Sequence, residues 1–185
     1  MSEVRPPFYV LTGGPGSGKS TLIAALAARG FRTVAEAGRA VIREEQARGG
    51  NALPWADRAA FARAMFDRDL AERRSTPRNG PAFFDRGLPD VAGYMRLSGL
   101  SVPEDMDRAI ATLPYAAPVF LAPYWDAIFA QDAERRQDRE EARRTAEMMA
   151  DVYAALGYEI VLLPLAPQEE RADFVLRRIG LNARV

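Results

Sequence analysis

The residues with the plainest chemical purpose lie in one short stretch, GGPGSGKST, from Gly13 to Thr21. It fits G-x-x-x-x-G-K-[ST], with Gly13 opening the pattern, Gly18-Lys19 at its turn and Ser20 closing it. Glycines at this spacing let backbone N–H groups converge on phosphate oxygens, and a helix that follows adds the positive end of its dipole. Gly13, Gly14, Gly16, Ser17, Gly18, Lys19, Ser20 and Thr21 are therefore the candidate phosphate-binding residues. Lys19 is placed to reach the β- and γ-phosphates and the Ser20 hydroxyl to ligate Mg²⁺. The expected ligand is a nucleoside triphosphate with Mg²⁺: ATP, with GTP left open.

Three other groups of residues could act beside those phosphates. Ala82-Phe83-Phe84-Asp85 is an apolar run ending in an acid, the Walker B arrangement, in which the carboxylate holds Mg²⁺ directly or through water. Hydrolytic ATPases usually follow that acid with a second one. Here Arg86 follows, and a cation suits clamping phosphoryl oxygens or an anionic acceptor. Asp85 as a helix cap is the plainer alternative. Glu36 and Arg39, one helical turn apart, are candidate acceptor-binding residues, or else a surface ion pair. Residues 131–144 hold Arg135, Arg136, Arg139, Arg143 and Arg144 among acids. Such a run is either a solvated helix face or a lid whose guanidinium groups grip a transferring phosphoryl.

These residues need a scaffold, and the hydrophobic pattern supplies one. Strands are expected at 8–11, 31–34, 82–85, 118–122 and 159–163, with helices between them. The loop's context is right: an apolar run before it, and good helix formers from Thr21 to Ala28 after it. Trp55 to Arg74 reads as an amphipathic helix whose stripe, Phe61, Ala62, Met65, Phe66 and Leu70, is core, with arginines and acids between. Tyr124 and Trp125, after the fourth strand, contact a substrate ring or pack beneath a lid. Strands alternating with helices predict an α/β, three-layer P-loop NTPase fold with a five-stranded parallel sheet and an arginine-rich lid. The 185 residues suit one such domain.

Composition narrows the chemistry. The 25 basic and 25 acidic residues cancel, so no excess charge favours a nucleic acid as partner. Without cysteine there is no disulfide, thiolate metal site or thiol nucleophile. Without histidine, proton transfer falls to carboxylates or water. The N-terminal apolar run is short and continues into the glycine loop, so neither a secretion signal nor a membrane span is read, and a cytoplasmic protein is expected.

GGPGSGKST, FFDRG and the arginine-rich run together resemble P-loop kinases of the nucleoside and nucleotide kinase group. More narrowly, EAGR at 36–39, FFDRGLPDVAGY and ERRQDREEARRTAEMM with YAALGYEIVLLP resemble the NadR-like AAA-type ATPase/kinase domain family, over nearly the whole chain. The resemblance implies that Lys19 and Ser20 serve phosphate and Mg²⁺, with Asp85 the metal-side or base carboxylate and Arg86 a clamp. It makes Arg135, Arg136 and Arg139 lid arginines, one of them stacked on the nucleobase, and puts the loop Pro164 to Pro167 at the edge of that base. Nothing in the chain specifically recognises nicotinamide.

The expected activity is transfer of the γ-phosphoryl of Mg-ATP to a small-molecule acceptor, a nucleoside, nucleotide or similar metabolite. Positioning and charge neutralisation dominate that chemistry, so the absence of histidine is no obstacle. Asp85 taking the acceptor's proton and Glu36 orienting its hydroxyl both remain open. The alternative is an ATP-binding, slowly hydrolysing regulator acting through a protein partner. A GTPase switch lacks its N-K-x-D reader, and Asp90-Val91-Ala92-Gly93 lies past the strand end. A mechanical AAA+ machine lacks the second acid after Asp85 and a helical lid domain.

Overall fold

The structure is a computed structural model that describes residues 6–129 and 138–181. Five parallel strands form one sheet: β1 (Phe8–Gly13), β2 (Arg32–Val34), β3 (Ala82–Asp85), β4 (Val119–Ala122) and β5 (Ile160–Leu162), in the order β2-β3-β1-β4-β5. The helices are α1 (Lys19–Ala28), α2 (Ala37–Arg48), α3 (Arg58–Ser75), α4 (Leu88–Leu97), α5 (Glu104–Thr112), α6 (Arg139–Ala155) and α7 (Gln168–Arg178). A 3₁₀ turn spans Asp126–Ile128.

Both sheet faces are covered, which is why the strands read as continuous apolar runs. On one side Phe8, Val10, Ala82 and Phe84 join residues of α3, α4, α5 and α6 in one buried cluster. On the other, Leu11, Phe83 and Phe120 pack with α1 and α7. β1 is central, paired with β3 in the register Leu11 to Asp85 and with β4 in the register Gly13 to Ala122. Its carboxyl end therefore meets the ends of both neighbours, where ligands bind in open parallel sheets. Among the described residues no helix is long and apolar enough to cross a membrane.

Several boundaries shift by a residue or two, and that of α3 shifts furthest. α3 starts at Arg58 rather than Trp55, because the Asp57 carboxylate caps it by accepting from the Ala60 N–H at 2.9 Å. Trp55 is left in the preceding turn, 60% exposed. The arginine-rich run falls partly outside the described residues. From Arg139 onward it is helix, with Asp138 capping α6 by accepting from the Glu141 N–H at 2.8 Å.

Candidate functional site

The glycine loop joins β1 to α1, and its shape requires glycine. At Gly13 (φ 132°) an added Cβ would sit 2.3 Å from the Ala122 carbonyl oxygen, and at Gly14 it would sit 2.2 Å from that of Ala142. The loop thus packs against the end of β4 on one side and the second turn of α6 on the other. Gly16 and Gly18 also take positive φ angles. The Ser17 hydroxyl donates to the Gly14 carbonyl and that of Thr21 to the Gly18 carbonyl, both at 2.8 Å. Lys19 is buried within the loop, its Nζ donating to the carbonyls of Gly14 (2.6 Å) and Gly13 (3.2 Å) and to Ser17 Oγ (3.2 Å). An ammonium and a ring of backbone groups are thus gathered at the start of a helix, the donor set a polyphosphate needs.

Asp85 ends β3 beside this loop. Its Oδ2 accepts from the Ser20 hydroxyl at 3.2 Å, while Oδ1 is buried and has no hydrogen-bond partner. Two hard oxygen donors side by side, one carrying unused lone pairs in the interior, fit Mg²⁺ better than a purely structural role. Among the described residues no cluster of three or more acidic, histidine or cysteine ligands forms, so phosphate oxygens and water would complete the shell.

Arg86 adopts φ 73°, the left-handed region that favours glycine. From there its Nε donates to Glu36 Oε1 at 3.0 Å and its Nη1 to Asp90 Oδ1 at 3.1 Å. Glu36 precedes α2 and also pairs with Arg39, Nε to Oε2, at 3.5 Å. Glu36, Arg39 and Arg86 therefore form one connected group. Asp90 is its anchor and was foreseen only as part of a D-x-x-G string. Besides Arg86 it accepts from Thr12 Oγ1 (2.5 Å), the Gly87 N–H (2.9 Å) and the Tyr153 hydroxyl (2.7 Å). An acid three residues into a helix is common on surfaces, so nothing in the sequence marked it as this hub.

Next to this group lies a cavity of about 910 Å³ between α2, α3, α4 and α6, lined at its charged end by Glu36, Arg86 and Asp90. Phe61 and Met65 of the α3 stripe border it as well as packing in the interior. Of the arginine-rich run, Arg144 lines the cavity. Arg139 instead lies at the surface, its Nη1 3.2 Å from Asp126 Oδ1. Arg135 and Arg136 lie outside the described residues. Tyr124 donates to Asp126 at 2.7 Å, packs against Phe129 and carries the Arg143 guanidinium 4.6 Å over its ring.

Arg171 was not foreseen as a site residue. Its Nη1 donates to the Ser17 carbonyl at 2.8 Å and its Nε to the Pro164 carbonyl at 2.9 Å. It ties the loop after β5 to the glycine loop, with its guanidinium 5.8 Å from the centre of the Trp125 ring. Burial lowers its pKa. Its register with Ala172, Val175 and Leu176, all on the buried face of α7, is the sequence signal that an arginine points inward there.

Comparison with known proteins agrees with this fold. A family model described as an AAA domain matches residues 8–171. A search of curated proteins finds no significant match. A NadR protein solved in complex with NR superposes with a TM-score of 0.72 at 18% identity, over 97% of this chain and 53% of that one. The chain thus spans about half the length of NadR. A deoxyadenosine kinase from M. mycoides superposes at 0.65 with 12% identity (94% and 98% covered). A thymidylate kinase from Ehrlichia chaffeensis does so at 0.63 with 13% identity (96% and 100% covered). At these identities the structural likeness speaks to the fold: a five-stranded P-loop kinase architecture. With the family match covering most of its length, the chain belongs to this AAA domain family of P-loop proteins.

Proposed function

We propose that the protein transfers the γ-phosphoryl group of Mg-ATP to a hydroxyl of a small-molecule acceptor. One observation carries this reading: a large cavity is lined at one end by the Glu36–Arg86–Asp90 group, and Asp90 accepts from Thr12, the residue before the glycine loop, so a second substrate has room near the nucleotide. A regulator acting through a protein partner has no use for such a cavity. Lys19 and the loop would hold the β- and γ-phosphates. Ser20 and Asp85 would hold Mg²⁺, which neutralises charge on the phosphoryl oxygens when bound. Arg86, fixed at two carboxylates, would present its remaining N–H to the γ-phosphoryl or the acceptor. Glu36 lines the cavity and Asp85 does not, which favours Glu36 as the carboxylate that orients the acceptor hydroxyl and Asp85 as the metal-side acid.

The cavity also bears on the acceptor. Among the described residues its acids (Glu36, Asp69, Asp90, Asp138, Glu140 and Glu141) outnumber Arg58, Arg86 and Arg144, and Arg86 is already engaged. An uncharged hydroxyl compound fits that balance better than a phosphate monoester. Among proteins of the same fold, NadR is solved with NR, and the deoxyadenosine kinase with its products dCMP and dCDP.

The test is transfer of label from γ-labelled Mg-ATP into a pooled metabolite extract, with Lys19→Ala as control. A labelled small molecule made only by the parent protein is expected. Tight ATP binding with label released only as free phosphate would overturn the kinase reading.

A further inference from the structure

Two polar side chains of the cavity wall are open to a ligand. Asp69, in the middle of α3, is only 8% exposed yet lines the cavity. It closes no hydrogen bond or ion pair; Asp90, Arg86, Asp85 and Glu72 act on it only through their charge. Tyr94, on neighbouring α4, also lines the cavity, and its buried hydroxyl lies beside Ser98 without a hydrogen bond of ordinary geometry. Buried polar groups are nearly always satisfied, so the Tyr94 hydroxyl, with the Asp69 carboxyl opening on the same cavity, calls for a ligand. The surroundings give that ligand a shape. Phe61 stands edge-on to the Tyr94 ring at 5.5 Å and 79°, Met65 borders the same wall, and exposed Trp55 sits at its rim.

We propose that Asp69 and Tyr94 form a recognition subsite for the head of the acceptor, a planar heterocycle or carboxamide whose N–H donates to the Asp69 carboxyl. A carboxyl oxygen accepts from an N–H whether or not the group is ionised, and the tyrosine hydroxyl serves as donor or acceptor for a neighbouring atom. The aromatic and thioether wall favours a flat ring over a bare polyol. The hydroxyl end of the same molecule would then lie toward Glu36 and Arg86. This inference rests on the acceptor-kinase reading, since it assigns the far end of the same cavity.

The test measures binding by calorimetry, in the presence of Mg²⁺ and a non-hydrolysable ATP analogue, with adenosine, cytidine and D-ribose as probes. Ribose carries the hydroxyls without the N–H head. At least one nucleoside should bind the parent protein about tenfold or more tighter than ribose. Asp69→Leu should lose about tenfold or more of that affinity while its affinity for ribose and the ATP analogue stays the same. Asp69→Asn, which keeps an acceptor oxygen, should lose less. The thermal midpoint of Asp69→Leu should rise, because an unpartnered buried carboxyl is removed; a fall would mark Asp69 as a structural residue and overturn the proposal. Nucleosides binding no better than ribose, or Asp69→Leu binding them as tightly as the parent, would also overturn it. Nucleoside binding that depends on Asp69 without phosphoryl transfer to the nucleoside would leave the subsite standing and sink the kinase reading.

Discussion

Arg86 combines an unfavourable backbone with two ion pairs, and the two contributions are separable. The left-handed conformation costs a residue with a Cβ about 1 kcal/mol relative to glycine. Losing the guanidinium leaves Glu36 and Asp90 without their shared cation, a loss of about 3–5 kcal/mol for a buried pair. Arg86→Gly should therefore be destabilised, but by about 1 kcal/mol less than Arg86→Ala, as read by denaturant midpoints. Equal midpoints would show that the φ angle carries no strain. Asp69 gives a pH signature. Burial first, then the charges of Asp90 and Asp85, raise its pKa well above the usual 3.8, against the opposing pull of Arg86. Buried Tyr115 feels the Asp69 charge in turn. The folded state thus holds the Asp69 proton more tightly than the unfolded chain. Its charged form begins to cost stability as pH rises above 3.8, and the cost is complete only above the raised folded value. Relative to Asp69→Asn, the parent protein should lose stability across that rise. A difference that stays flat with pH would show that Asp69 titrates normally. Lys19, Ser20 and Asp85 were legible because motif spacing fixes their neighbours. Asp69 was not, since an acid inside an amphipathic helix reads as solvated until its neighbours in space are known.

At the scale of elements, α6 and the glycine loop depend on each other. Gly14 lets the loop approach α6 until an added Cβ would meet the Ala142 carbonyl oxygen at 2.2 Å. Gly14→Ala must push the second turn of α6 away from the loop, and with it Glu141 and Arg144 on the cavity wall. Phosphoryl transfer should fall by more than tenfold, on the order of the loss that follows from misplacing catalytic groups by an ångström. Activity near that of the parent would show that this contact is not needed. The strands and helices themselves were foreseen to within a few residues, because covered parallel strands and amphipathic helices leave distinct periodicities. The start of α3 was the furthest off. An apolar tryptophan looked like its first turn, whereas the Asp57 cap sets the boundary and leaves Trp55 at the cavity rim.

For the molecule as a whole, nucleotide binding should appear as stability. At about a hundred times its dissociation constant, Mg-ATP should stabilise the fold by about 2.7 kcal/mol, or about 5–10 °C in midpoint for a chain of this size. Chelating the metal should shrink that shift, and Asp85→Ala should make it insensitive to the chelator. A shift unaffected by chelation in the parent would remove Ser20 and Asp85 as metal residues. By itself the sequence determined the fold class, the phosphate loop and the strand-end acid, because these rest on local spacing: glycines in a turn, alternation in strands, a carboxylate closing an apolar run. Only the tertiary structure decided that Arg86 bridges Glu36 and Asp90, and that Arg171 ties the loop after β5 to the glycine loop. It alone put Asp69 and Tyr94 in one cavity wall. Each of these joins residues distant in sequence or on different elements, and helix packing against the sheet sets which side chains meet.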